Sequence, residues 1–68
     1  MNKIFKVDSD VCETVGVKEI TCDLHDFYFG EKIILTVDGK QISRKVYDDA
    51  AGLYVSIKGC KVYYEDFN

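Results

Sequence analysis

Proline is absent from this chain of 68 residues. No segment is rich in Gly or Ser, and no internal repeat of useful length occurs. These absences exclude a flexible linker or low-complexity arm, so residues 1–68 are expected to form a single domain. Long apolar runs are missing too. The longest run of large aliphatic residues is Ile33-Ile34-Leu35, against the ~20 residues that a membrane helix needs. The opening segment, Met1-Asn2-Lys3-Ile4-Phe5-Lys6, carries no apolar signal core. Three cysteines, Cys12, Cys22 and Cys60, leave at least one thiol unpaired whatever bridge is drawn. Together these features give a cytoplasmic expectation, with no membrane partner.

Groups suited to catalysis are equally scarce. The only histidine is His25. Asp23 and Asp26 could orient it as a base, yet no nucleophile motif accompanies it and no Gly-rich phosphate loop occurs. So short a chain also has little volume from which to shield a pocket. It is therefore read as a non-enzyme without a cofactor. For metal, the candidates are Cys12, Cys22, His25 and Cys60. Cys22-Asp23-Leu24-His25 supplies one chelate-like spacing, which falls short of a zinc signature, and buried structural thiols are favoured.

Twelve acidic residues against nine basic ones give a net charge of -3. That balance disfavours duplex binding, where Lys and Arg must neutralise phosphates. What the chain does hold is apolar and aromatic residues, 47% and 13%, enough to expect a packed fold. A domain this small buries only about 60% of its unfolded surface, so a partner or self-association can form part of its stability.

The strongest local signals are two hairpin turns. With Asp38-Gly39 as a two-residue turn, Val37 lies opposite Lys40, Leu35 opposite Ile42 and Ile33 opposite Arg44. Phe27, Phe29, Ile33, Leu35 and Val37 then share one face, interrupted at Glu31, and Gly30 suggests a bulge that releases this charge to solvent. A Lys58-Gly59 turn sets Ile57 against Cys60, Val55 against Val62 and Leu53 against Tyr64. A short loop through Asp48–Gly52 places Val46 opposite Leu53 and joins the hairpins into a four-stranded meander.

Upstream, residues 4–7 and 17–22 read as short strands, with Ile20, Cys22 and Leu24 on one face. Residues 9–15 can form a short helical turn, capped by Asp8 or Ser9 and ended near Gly16. The expected fold is mainly β: a small antiparallel meander of about five or six strands, curled into a sheet, small barrel or roll.

This register puts Tyr54 and Tyr63 on the face opposite the core as a cross-strand pair, together with Tyr47, Lys45, Lys61, Ser43 and Ser56. Tyr supplies rigid amphipathic contact area and Lys steers an acidic partner, so the expected function is a protein-interaction module. It would bind a partner or itself through this face or through an edge strand. A solvated sheet face, or one covered by the N-terminal segment, accounts for the same residues. One alternative is an acidic inhibitor that occupies a basic nucleic-acid groove on another protein through Asp8, Asp10, Asp23, Asp26, Asp48 and Asp49. Another is weak binding of single-stranded nucleic acid by stacking on the tyrosines; the acidic balance makes nucleic acid the less favoured partner.

Overall fold

The computed structural model describes residues 3–25 and 27–68. Among them the elements run β1 (Phe5–Lys6), α1 (Ser9–Val15), β2 (Ile20–Cys22), β3 (Lys32–Val37), β4 (Lys40–Lys45), β5 (Tyr47–Asp49), β6 (Gly52–Ile57) and β7 (Cys60–Tyr63). A 3-10 turn follows over Tyr64–Asp66. The fold is mainly β, in two antiparallel sheets ordered β1-β2-β3-β4 and β5-β6-β7.

Both hairpin turns form as their sequences require. Asp38 and Gly39 have φ of 50° and 82°, and Lys58 and Gly59 have 52° and 79°. Two successive positive values define the turn whose twist matches antiparallel strands. The register follows: Val37 pairs with Lys40, Leu35 with Ile42 and Ile33 with Arg44, while Ile57 pairs with Cys60 and Val55 with Val62. The Leu53–Tyr64 pair does not form, because β7 ends at Tyr63 and the chain tightens into the 3-10 turn. There the Tyr63 N–H donates to Asp66 Oδ2 at 2.9 Å.

Gly30 makes the bulge. The Gly30 N–H donates to the Val46 carbonyl at 2.9 Å and the Val46 N–H donates to the Glu31 carbonyl at 2.8 Å, so two residues face one. With φ of +85°, Gly30 takes the left-handed position of a glycine bulge. The preceding turn, closed by Glu31 N–H to the Tyr28 carbonyl at 3.1 Å, swings Phe29 out to 65% exposure. Phe29 therefore leaves the core row in which alternation had placed it. Glu31 is exposed, as a bulge allows.

The link between the hairpins also departs from the expected register. Val46 does not face Leu53. Tyr47 pairs with Tyr54, Asp48 with Leu53 and Asp49 with Gly52, a two-residue slip that keeps every side chain on its expected face. Asp49 sets the slip: its Oδ1 accepts the Ala51 N–H at 2.8 Å, tightening the turn to Ala50-Ala51. At Val46 the strand changes sheets, pairing with β3 before it and with β6 after it. Instead of one continuous meander, the result is two sheets joined by a bent strand.

The chain ends close the roll. Lys6 and Asn68 exchange backbone hydrogen bonds at 2.9 and 2.7 Å, and the Asp8 N–H donates to the Asp66 carbonyl at 3.1 Å. Helix α1 ends in a Schellman closure, with Gly16 N–H to Glu13 O and Val17 N–H to Cys12 O. Asp8 is its N-cap without a side-chain cap bond, because its carboxylate accepts the Asn68 amide instead. Inside, Ile20, Leu35, Val46, Val55, Ile57 and Val62 are essentially fully buried, and Cys12 and Val15 of α1 join the same cluster.

Candidate functional site: a tyrosine row on the three-stranded sheet

Residues two apart on a strand share a face, and cross-strand partners lie side by side on it. Tyr47 on β5 pairs with Tyr54 on β6, which pairs with Tyr63 on β7, so three tyrosines form one row across the sheet. Neighbouring ring centroids are 6.1 and 5.5 Å apart, with the planes inclined at 33° and 55°. Both spacings fall in the range of favourable aromatic contacts. Lys45 Nζ lies 5.8 Å from the Tyr47 ring centroid and Lys61 Nζ 4.8 Å from that of Tyr54, within reach of cation–π attraction. The five residues Tyr47, Tyr54, Tyr63, Lys45 and Lys61 are thus brought together on one surface, where Tyr47 is exposed and Tyr54 and Tyr63 are half-buried.

Asp49 organises the row. Its Oδ2 accepts the Tyr63 hydroxyl at 2.8 Å and the Lys61 ammonium at 2.9 Å. These hydrogen bonds, together with the one from Ala51, hold its carboxyl down at about 2. The same carboxylate raises the pKa of both Lys61 and Tyr63. Among the described residues, Tyr63 is the member of the row whose hydroxyl is hydrogen-bonded. Sequence parity places Asp49 two residues from Tyr47 on β5, a signal for its place in the row that composition alone, by which it counts as one more surface acid, does not reveal.

The other acidic candidates are dispersed. Asp8 and Asp10 flank the start of α1, and Asp23 sits in the β2–β3 connection, where its Oδ1 accepts the His25 N–H at 3.0 Å. Asp48 points from β5 to the side opposite Asp49. Asp26 lies outside the described residues. Of the metal candidates, Cys12 and Cys22 are buried and Cys60 half-buried, all as free thiols. Cys22 donates its S–H to the Ile34 carbonyl at 3.5 Å. Burial pushes the thiols of Cys12 and Cys22 up. Among the described residues no group of three or more His, Cys, Asp or Glu is placed to hold a metal ion, and no helix is long and apolar enough to cross a membrane. Compared with family models, curated proteins and solved structures, the chain matches none.

Proposed function

We propose that this protein is a non-catalytic, cytoplasmic interaction module that binds another protein through the Tyr47–Tyr54–Tyr63 face, with Lys45 and Lys61 at its margin. The observation that carries this reading is the locking of the row by Asp49, which holds Lys61 and Tyr63 in place. Side chains ordered before binding lose less entropy on binding, so tyrosines pre-set in this way give up little of their contact energy. Tyr47 is exposed and offers its ring and hydroxyl to a partner, and Tyr is among the residue types enriched at binding hot spots. Three free thiols suit a reducing compartment.

A protein partner is favoured over a single nucleic-acid strand. The rings are inclined to one another, and Lys61 already occupies a face of Tyr54, leaving a poor platform for successive base stacking. The acidic-mimic alternative is weakened because Asp49 is committed to Lys61 and Tyr63, while Asp8 and Asp10 lie at the start of α1, Asp23 in the β2–β3 connection and Asp48 on β5.

The test is affinity capture from native extract, at low and high salt, with the wild-type chain and a Tyr54→Ala/Tyr63→Ala variant shown by circular dichroism to be folded. A specific partner retained by the wild type and lost at least about tenfold by the variant supports the tyrosine face. A partner kept by the variant but released by salt would instead move the function to the acidic surface.

A further inference from the structure

The ring of strands is left open along one seam. In a two-residue hairpin the residues flanking the turn exchange hydrogen bonds, and alternate residues then point their backbone groups outward. On β4, Lys40, Ile42 and Arg44 therefore face β3, while Gln41, Ser43 and Lys45 turn their N–H and C=O groups toward the seam. Across the seam, β6 is paired with β5 only as far as Tyr54, so Ser56 also points into it. The gap is bridged by a side chain rather than a ladder. Arg44 Nε donates to the Ser56 carbonyl at 3.1 Å, and Arg44 Nη1 donates to the Ser43 carbonyl at 2.8 Å. Beside this guanidinium lies a groove of about 330 Å³ with Val37, Ile42 and Ile57 in its floor and Lys40, Arg44 and Lys58 around it.

We propose that this seam is a strand-addition site for an extended acidic segment of another protein, with acid, apolar and acid side chains at alternate positions. The pattern follows from β4, where Lys40, Ile42 and Arg44 share one face, so an added strand meets cation, apolar surface and cation in turn. On binding, the Ser43 carbonyl accepts a partner N–H and the Arg44 guanidinium passes from two carbonyls to a carboxylate, a stronger charge-assisted bond. Among the described residues, Asp38 is the one carboxylate lining the groove. Its Oδ1 is held by the Lys18 and Glu19 N–H groups at 2.8 and 2.9 Å, and its charge acts on Lys58. Lys40 and Arg44 have no carboxylate partner among the described residues. A second copy of this chain is the wrong occupant, since antiparallel pairing of two β4 strands about Ile42 would set Lys40 of each against Arg44 of the other. Basic residues commonly guard an exposed edge in this way; the apolar groove and the guanidinium resting on carbonyls go beyond what guarding needs.

The probe is the pentapeptide acetyl-Glu-Thr-Val-Thr-Glu-amide, titrated into isotope-labelled protein and followed by amide NMR and hydrogen exchange. The expected result is saturable shifts centred on Gln41–Lys45 and Ser56–Lys58, with slowed exchange at the Gln41 and Ser43 amides. The Lys-Thr-Val-Thr-Lys counterpart should bind at least about tenfold more weakly, and Arg44→Gln, at an exposed site and checked for fold, should weaken the acidic peptide about fivefold or more. Equal binding of the two peptides, shifts centred elsewhere, or no shift at about 10 mM peptide each overturns the assignment. So does a dimer of the unliganded chain formed through β4.

Discussion

Asp49 and Tyr63, fourteen residues apart in the chain and on the two outer strands of the three-stranded sheet, are joined by a 2.8 Å hydrogen bond from phenol to carboxylate. The same oxygen holds Lys61. This single carboxylate both closes the β5–β6 turn and ties down the far end of the tyrosine row, so a local turn residue and a tertiary lock are the same side chain.

The pH dependence of this lock has a definite sign. Asp49 has its pKa lowered from an ordinary 3.8 to about 2. Its contribution is therefore complete above about pH 4 and disappears as pH falls through about 2. The difference in Tm between wild type and Asp49→Asn should be constant from about pH 4 to neutral pH and shrink steadily as pH falls toward about 2, as read from thermal melts across that range. At the alkaline end, the raised values of Tyr63 and Lys61 mean their share is present at neutral pH and lost as pH rises through them. In Asp49→Asn, the Tyr63 phenol should titrate lower than in wild type, measured by ultraviolet difference or NMR.

Gly30→Ala tests the bulge. Open space surrounds the position where a Cβ would sit, so the cost is conformational alone, about 1–2 kcal/mol for a left-handed Ala. The melt should shift down by roughly 4–8 °C per kcal/mol. An unchanged melting temperature would mean that the bulge relaxes without consequence for Val46.

Leu35→Ala should cost about 2–5 kcal/mol, since Leu35 is fully buried at the centre of β3. Small domains of this size have little more stability than that to lose. Denaturant unfolding followed by circular dichroism should show a largely unfolded population in buffer or a midpoint close to it.

The thiols should divide by burial. Cys60 is half-buried, whereas Cys12 and Cys22 are buried with raised pKa values. A thiol reagent at neutral pH should modify Cys60 first, and the other two only when the protein unfolds. Mass spectrometry of the partly modified protein checks the order; rapid labelling of Cys22 in the native state would contradict it.

Much of this molecule was legible in the chain because its signals are local. Asp38-Gly39 and Lys58-Gly59 demand positive φ, which sets the turn, and the turn sets the register. Register then assigns faces, so the partnership of Tyr54 and Tyr63 follows from residues 54–63 alone. Phe29 escaped this logic because alternation holds only while the strand is unbroken, and the turn at Gly30 breaks it. The Tyr47–Tyr54 register slipped by two residues because composition marks a turn but not its length. An Asx contact from Asp49 chose the tighter loop.

The hairpins, and the face of each side chain along unbroken strands, thus follow from interactions across a few residues. Closure of the roll by Lys6 and Asn68, the change of sheets at Val46, the hold of Asp49 on Tyr63 and the seam bridged by Arg44 arise from contacts between distant parts of the chain. Each joins groups whose meeting depends on the twist and bend accumulated along the intervening strands, and no local preference encodes that sum.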